Sequence, residues 1–199
     1  MTATREDEFA TRQTARLRLR VPTEADVPAL VPRLDDMRVS DNLYSVPHPY
    51  TEDDARRYLD YVAAQRAAQT AYSFLAFAAE DGSGERLVGG CEVREINAIH
   101  RHAVLGVWVA VDDWGRGYAT EMLGEMLAIA FAGLRLNRVQ AYVRHDNLGS
   151  RRVMEKLGLS LEGIQREYLF LRGRFYDVGA WAILARDYET QPPTNSETR

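Results

Sequence analysis

The sequence predicts an α+β fold in which helices flank a mostly antiparallel sheet. Some segments alternate apolar and polar residues, as half-buried strands do, and others repeat apolar residues every three or four positions, as amphipathic helices do. Short turns between two pairs of predicted strands favour hairpins, whose strands pair antiparallel. The chain of 199 residues is long enough for one hydrophobic core, so we expect a single domain.

The N-terminal half begins with a predicted strand. In "RLRLRVP", residues 16–22, leucine and valine alternate with arginine until a proline ends the pattern. Thr23, with Asp26 three residues later, is expected to cap a first helix. Residues 37–50 are rich in turn formers and aromatic residues, so this segment either packs on the core as a connection or lines a substrate opening.

A second helix and a hairpin follow. Thr51 and Asp54 have the spacing of a helix cap, and an apolar helical face comes directly after them. Residues 72–80 and 86–95 are rich in apolar and β-forming residues, and a glycine-containing turn at 81–84 separates them. These two segments are therefore predicted to form a hairpin.

The C-terminal half begins with a central strand. Residues 103–111, "AVLGVWVAV", are apolar on both faces, which predicts a strand in the middle of the sheet. The next helix is expected to bury Met122, Leu123, Met126, Leu127 and Ala130. A strand over 138–143, a short helix that ends at Gly158, and two strands within 166–184 joined near Gly173 complete the domain.

Bulk composition excludes several classes of protein. The net charge of −4 argues against a broadly basic nucleic-acid surface. Because Cys91 is the single cysteine, an intramolecular disulfide and a cysteine-based metal cluster are excluded, and we expect no bound metal. The sequence has no apolar core of signal-peptide type and no run of about 18 apolar residues, so we expect a cytoplasmic protein without a membrane span. Residues 1–15 and 190–199 are polar and are expected to be flexible ends of one domain, residues 16–189.

The stretch "DDWGRGYATEML", residues 112–123, has the composition of an anion-binding loop that opens a helix. Gly115 and Gly117 permit a positive φ or a close backbone approach, and Arg116 adds a cation. A dinucleotide fingerprint would need a third glycine where Thr120 stands. A mononucleotide P-loop would need a lysine that this loop lacks. The loop therefore indicates a phosphate ligand of another kind.

The loop and its flanks resemble a known family. "VWVAVDDWGRGYATEML" and "VRHDNLGSRRVMEKLGLSLEG" resemble the GNAT superfamily of acetyl-CoA-dependent N-acetyltransferases, and within it the Rim-type branch that acetylates protein N-termini. The likeness extends from about Arg16 to Tyr188. The superfamily pattern Gln/Arg-x-x-Gly-x-Gly/Ala falls on residues 114–119, where Trp114 departs at the first position as it does in the Rim-type branch.

The resemblance implies a coenzyme site at this loop, in a sheet whose middle strands splay apart. Main-chain amides of the loop would bind the diphosphate of acetyl-CoA, and the end of the central strand would pair with its pantetheine arm. Asn147 would bond that arm or fix the splayed strand end, although its residue type also suits a helix cap. The implied coenzyme contacts are Val109, Val111, Trp114, Gly115, Arg116, Gly117, Tyr118, Ala119, Thr120, Asn147, Ser150, Arg151 and Arg152.

Acetyl transfer to an amine needs an oxyanion donor, a partner for the leaving thiolate and a weak general base. By resemblance, the main-chain N–H near Val109 serves the oxyanion and Ser150 serves the sulfur. Glu167 and Glu92 are the candidate bases, because both lie on predicted strands near the expected acceptor opening. Some Rim-type enzymes hold a carboxylate at the position of Leu169, one pleat period from Glu167. A surface ion pair would explain Glu167 equally well. Two histidines in predicted loops, His48 and His145, are further candidates for the base.

The expected function is transfer of acetyl from acetyl-CoA to a primary amine, first of all at a protein or peptide N-terminus. Polyamines, amino acids and aminoglycosides are alternative acceptors, because the acceptor is selected by variable loops such as residues 37–50. A non-catalytic module that binds acyl-CoA and signals through a partner is the alternative outside enzymes. The resemblance also makes a homodimer an expectation.

Overall fold

The computed structural model describes residues 9–80 and 84–190, which form one eight-stranded sheet with helices on both faces. The strands are β1 (Thr11–Gln13), β2 (Leu17–Arg20), β3 (Tyr72–Glu80), β4 (Gly84–Asn97), β5 (His102–Val109), β6 (Arg138–Arg144), β7 (Ser160–Leu171) and β8 (Arg174–Leu184). The α-helices are α1 (Val27–Leu34), α2 (Met37–Ser40), α3 (Glu52–Ala67), α4 (Tyr118–Ala128), α5 (Leu148–Lys156) and α6 (Ala185–Glu189). Two 3₁₀ turns, Glu24–Asp26 and Val111–Asp113, and one π-helical turn, Ile129–Gly133, complete the elements.

The sheet is mixed and mostly antiparallel, with the strand order β1-β2-β3-β4-β5-β6-β8-β7. The β5–β6 pair is parallel, and every other neighbouring pair in this order is antiparallel. Both predicted hairpins are present, as β3–β4 and β7–β8. The predicted α+β class and the central position of β5 are therefore confirmed.

Two apolar clusters cover the two faces of the sheet. Phe74 and Leu75 are neighbours on β3 and point to opposite faces, as successive strand residues do, and each belongs to a different cluster. The cluster around Phe74 includes the buried face of α4, where Leu123 is fully buried, as its helical spacing predicts. The cluster around Leu75 includes residues of α1 and α3, such as Leu30. The β5 strand is thus enclosed between α4 on one face and the α1–α3 layer on the other.

The N-terminal segment differs from the expected flexible end over residues 1–15. Residues 1–8 lie outside the described part of the chain, but Phe9 is buried and its ring meets that of Tyr72 edge-on, with 5.4 Å between the ring centroids. β1 pairs with β2, and Arg12 forms an ion pair with Glu125 of α4. One buried aromatic residue and several polar contacts hold this segment in place, so its mostly polar composition gives no sign of order. The expected flexible tail lies outside the described residues from 191 onward.

Two strand boundaries also differ from the predictions. β5 ends at Val109, and Val111 begins a 3₁₀ turn, so the expected extended strand end at Val111 is wrong. β7 begins at Ser160 instead of residue 166, because its first residues are exposed and show no apolar alternation. Among the described residues, no helix is long and apolar enough to cross a membrane.

Candidate active site

The middle of the sheet contains a cleft where β5 and β6 separate. These two strands pair from His102 to Val104 on β5, and beyond that point the described β5 residues pair with β4 while β6 pairs with β8. The bond from the Ala110 amide to the Val88 carbonyl, 2.8 Å long, fixes the alternation of the β4–β5 ladder. In that alternation Val109 directs its N–H and C=O away from β4 and into the cleft. The splayed strands that the resemblance implied are therefore present.

Trp114 contacts the end of β5, the strand that borders the cleft. Its indole Nε1 donates a hydrogen bond of 2.8 Å to the Val109 carbonyl, although the side chain as a whole is 50% exposed. This bond occupies the carbonyl oxygen of Val109, and the Val109 amide remains directed into the cleft. Trp114 thus fixes the end of β5 against the loop that follows.

The glycine loop leads into α4 with an open helix terminus. Gly115 and Gly117 have φ angles of +77° and +82°, the left-handed region that favours glycine. Gly117 is the N-cap of α4, and among the described residues no side chain caps it. The amides of the first turn have no intrahelical partner, and the helix dipole adds positive potential at this end. The loop therefore fits a diphosphate group, and the amides up to Thr120 are the donors that would hold it.

An ion pair with a buried carboxylate fixes Asp113, which directly precedes this loop. The carboxylate of Asp113 is fully buried and accepts hydrogen bonds from both terminal nitrogens of Arg86, one of them 2.8 Å long from Nη2. Arg116 lies on the outer side, with its Nε 3.8 Å from an Asp113 oxygen and a side chain 57% exposed. The sequence gives no sign of the Arg86–Asp113 pair, because the two residues are 27 positions apart on different elements.

The start of α5 forms the other wall of the cleft. The Asn147 side chain caps this helix, because its Oδ1 accepts from the Ser150 amide at 3.0 Å, while its Nδ2 donates to Asn42 Oδ1 at 3.0 Å. Ser150 lines the cavity described below, whereas Arg151 donates to the His145 carbonyl at the end of β6. The cap role of Asn147 is thus observed, and a contact with the coenzyme stays a prediction for Asn147, Ser150 and Arg151.

A cavity of about 610 Å³ passes through the cleft. Ser150 and Met154 of α5 line it on the α4 side of the sheet, and Tyr58 and Tyr61 of α3 line it on the other side. Its charged lining residues are Asp54, Arg57, Glu92, Arg94 and Arg144. Residues 42–47, within the segment that the sequence marked as a possible substrate opening, also line this cavity.

Glu92 is the candidate base that the structure brings to the cavity. It pairs with Gly106 across β4 and β5. A Cβ at Gly106 would lie 2.8 Å from Glu92 Oε1, so a larger residue at this position would collide with the carboxylate. Ser73 Oγ donates to Glu92 Oε2 at 3.1 Å, and Arg94 Nε lies 3.1 Å from Oε1. Burial raises the pKa of Glu92, and the Arg94 charge and the Ser73 hydroxyl partly offset this effect.

Glu167 is not brought to the cavity. It is exposed, has a φ of +52°, and lies where the register between β7 and β8 shifts, between Gln165 and Leu169. The irregular register interrupts the two-residue period, so spacing alone does not place Glu167 on the face of Leu169, and its role as a base stays a prediction. Its amide donates to Asp177 Oδ1 at 2.8 Å, which gives Asp177 a structural role.

Several tyrosines that the sequence did not mark as site residues gather at the cavity, on the side of the sheet that α3 covers. Tyr44, Tyr58, Tyr61 and Tyr142 line it, and Tyr168 of β7 stacks on Tyr142 with 6.3 Å between the ring centroids. Burial raises the pKa of Tyr44 and of Tyr58, so both hydroxyls stay protonated as hydrogen-bond donors near neutral pH. These residues come from four separate segments, and no local sequence pattern joins them.

Comparison with known proteins gives one family. Residues 16–160 match the family model described as "Acetyltransferase (GNAT) domain". The uncharacterized N-acetyltransferase YoaA of Bacillus subtilis is 30% identical over 100 residues, which cover 50% of this chain and 56% of that protein. The chain thus spans little more than half the length of this curated relative.

Solved structures show the same fold. The spermidine N-acetyltransferase of Vibrio cholerae, in complex with CoA and spermine, matches with a TM-score of 0.75 and 24% identity over 88% of this chain and 99% of that one. RimL, a ribosomal L7/L12 alpha-N-protein acetyltransferase in complex with coenzyme A, matches with a TM-score of 0.74 and 22% identity. The RimL match covers 86% of this chain and 95% of that one. At these identities the likeness concerns the fold alone.

Proposed function

The chain belongs to the GNAT acetyltransferase family, and from this premise we propose that it transfers acetyl from acetyl-CoA to a primary amine by direct attack in a ternary complex. The proposed acceptor is the N-terminal amine of a peptide or protein, as the resemblance to the Rim-type branch implies. One observation carries the acetyl-CoA part of the proposal: the strand β5, which borders the cleft between splayed strands, leads through a short loop to the open N-terminus of α4.

Main-chain donors form the larger part of the proposed coenzyme site. The amides from Gly117 to Thr120 would hold the diphosphate, and the end of β5 would pair with the pantetheine arm. Acetyl-CoA, when bound, supplies an acetyl group activated as a thioester. The Val109 amide faces the cleft and is the proposed oxyanion donor, a role worth about 3 kcal/mol. Ser150 lines the cavity that passes through this cleft, and its hydroxyl is the proposed proton donor to the leaving sulfur.

Glu92 is the proposed general base. A buried carboxylate with a raised pKa holds a proton more tightly than an exposed one, so it is better suited to accept a proton from an ammonium group. Transfer occurs directly or through one water molecule. Arg94 and Ser73 keep the carboxylate oriented while the proton is gained and lost.

The hydrogen-bond donors of the cavity favour a peptide over a polyamine. Arg57, Arg94 and Arg144 line it, and each forms an ion pair with a neighbouring carboxylate, so the cavity carries no excess of positive charge. A polyamine has no carbonyl oxygen that these side chains could bind. A peptide N-terminus carries one amine followed by carbonyl oxygens, which arginine and tyrosine side chains can serve as hydrogen-bond donors.

A small amine is the second candidate acceptor. Tyrosine rings attract alkylammonium groups, and Tyr58 and Tyr61 line the cavity together with the Glu92 carboxylate. Polyamines, amino acids and aminoglycosides all present such an amine. The structural likeness to a spermidine N-acetyltransferase keeps this class among the acceptors to be tested.

A panel of acceptors tests the proposal. N-terminal peptides, spermidine, amino acids and an aminoglycoside are incubated with acetyl-CoA and the protein, and products are identified by mass spectrometry. We expect one acetyl group at the peptide α-amine, and in Arg94→Gln we expect the ratio of spermidine to peptide kcat/KM to rise about tenfold, the effect of 1.4 kcal/mol. Arg138→Gln is the matched control, because Arg138 pairs with Glu162 and is not among the described residues that line the cavity.

Two outcomes would contradict parts of the proposal. A wild-type kcat/KM for spermidine above that for every peptide would move the acceptor to the small-amine class. Tight binding of acetyl-CoA without any acetylated product or hydrolysis would favour the non-catalytic acyl-CoA sensor.

A further inference from the structure

We infer that Arg16 is a diphosphate-binding residue of the coenzyme site and that the N-terminal segment, residues 9–16, holds it there. The role assigned to Arg16 rests on the proposed function, because the diphosphate is that of acetyl-CoA. Arg16 lies directly before β2, about a hundred residues from the glycine loop in sequence. The loop pattern 114–119 therefore does not include it.

The Arg16 side chain lies along the first turn of α4. Its Nε donates to Glu121 Oε2 at 2.7 Å, and its Nη2 lies 2.7 Å from the same oxygen. Its Nη1 donates to the Arg116 carbonyl at 2.8 Å, and its guanidinium carbon lies 4.9 Å from the centre of the Tyr118 ring. One guanidinium group thus spans the glycine loop and the helix that the loop opens.

Two donors of this guanidinium remain for an anion. An arginine has five side-chain N–H groups, and the contacts with Glu121 and Arg116 engage three of them. The side chain is 50% exposed, and its Nη2 is 3.4 Å from the position that a Cβ would take at Gly117. Arg16 therefore presents a planar cationic fork beside the amide donors of the open helix terminus, which is the geometry that suits a phosphate.

Glu121 of α4 is the residue to which the N-terminal segment is bonded. A carboxylate in the first turn of α4 would repel a phosphate at the same terminus, and Arg16 neutralises it. Thr14 Oγ1 and the Arg16 amide both donate to Glu121 Oε1, at 2.6 Å and 2.7 Å, and Arg12 pairs with Glu125 one turn further along α4. The segment therefore converts an acidic helix start into one that accepts an anion.

Calorimetric binding of coenzyme A tests the assignment. We expect Arg16→Gln to raise the Kd for coenzyme A at least tenfold, because a charge-assisted contact with the diphosphate is lost. With S-acetylpantetheine, which lacks the diphosphate, kcat/KM should equal that of the wild type. Arg16→Lys keeps the charge without the fork and should fall between wild type and Arg16→Gln. Arg186→Gln is the matched control, because Arg186 is exposed on α6.

The variant Glu121→Gln distinguishes a role of Arg16 in diphosphate binding from a purely structural role. If Arg16 binds the diphosphate, removing the Glu121 charge should leave the Kd for coenzyme A unchanged or lower it, the opposite sign to Arg16→Gln. If Arg16 only holds Glu121, both variants should weaken binding of coenzyme A and use of S-acetylpantetheine alike, and the inference is wrong. An unchanged Kd in Arg16→Gln would also overturn it. A wild-type protein that binds no coenzyme A would instead refute the proposed function.

Discussion

The two sides of the cleft are built in different ways. On the coenzyme side, the proposed diphosphate donors are mainly main-chain amides from one contiguous segment, from the end of β5 to the first turn of α4, and the Arg16 side chain joins them from the N-terminal segment. On the acceptor side, the lining consists of side chains from α3, β4, β6 and the segment after α2. Main-chain geometry tolerates changes of side chain, whereas a set of side chains changes with each substitution. The coenzyme side is thus suited to a constant ligand, and the acceptor side to a variable one.

The starts of two helices show the same contrast. At α3, the Thr51 hydroxyl accepts a hydrogen bond from the Asp54 amide at 3.2 Å, and the Asp54 carboxylate accepts from the Thr51 amide at 2.9 Å. At α4, the N-cap is Gly117, which has no side chain to offer. A glycine N-cap costs only about a few tenths of a kcal/mol relative to a side-chain cap, and it leaves the first-turn amides available to a bound anion. The open terminus is therefore a better sign of ligand binding than the glycine pair by itself.

The largest effect is expected at the N-cap of α4. Gly117→Val should weaken binding of coenzyme A at least a hundredfold, because a branched side chain would project into the space of the diphosphate. A residue with a Cβ also costs about 1–2 kcal/mol at a φ of +82° and would shift the amides. Isothermal calorimetry measures the Kd, and thermal unfolding checks that the variant is folded.

Gly124→Ala is the matched control for Gly117→Val. Gly124 lies on the same helix, and the position of its Cβ is in open space. This control should bind coenzyme A normally and should unfold at a slightly higher temperature, because alanine favours helices over glycine by up to about 1 kcal/mol. Wild-type affinity in Gly117→Val would remove the open terminus from the coenzyme site.

On the acceptor side, Glu92→Gln should lower kcat about a hundredfold, the lower end of the effect of a general base. The KM for acetyl-CoA should stay unchanged, because Glu92 lies outside the coenzyme loop. In the wild type, burial raises the pKa of Glu92, so the carboxylate gains its proton at a higher pH than an exposed glutamate does. The rate should therefore fall as the pH drops through this raised pKa, and Glu92→Gln should lack that acid limb.

Glu95→Gln is the control for this experiment. Glu95 is near Glu92 on β4 and also contacts Arg94, but its side chain is 61% exposed. It should retain kcat and the acid limb of the pH profile. An acid limb that persists in Glu92→Gln would assign the titration to another group and remove Glu92 from the mechanism.

The coenzyme side could be predicted from sequence because it depends on local rules. A glycine pair before a helical repeat gives positive φ angles and an open helix start, and Gly115 and Gly117 have both. The helical and strand periods gave the order of most elements as well. Val111 was misplaced because an apolar run does not mark where a strand stops and a 3₁₀ turn begins.

The acceptor side could be predicted only in part: Glu92 and the segment 37–50 were candidates from sequence and contribute to the cavity lining, but its other parts are distant in sequence and meet only in the fold. Glu92 and Ser73 meet through the register of β3 and β4, and register is set by the whole sheet. Glu167 was favoured by a regular two-residue period that the irregular pairing of β7 and β8 breaks. The same limit applies to Arg16 on the coenzyme side: the sequence predicts a strand that begins there, but its contact with α4 depends on how the N-terminal segment packs.

The smallest effect is expected at the cap of α3, where Thr51→Ala should lower the free energy of unfolding by about 1 kcal/mol. Urea denaturation measures this loss, and Thr51→Ser should restore the stability because serine keeps the hydroxyl acceptor. Binding of coenzyme A should not change, since the Thr51 cap is completed by the side chain itself and lies on the acceptor side. Weaker coenzyme binding in Thr51→Ala would mean that the two sides of the cleft are coupled through the sheet.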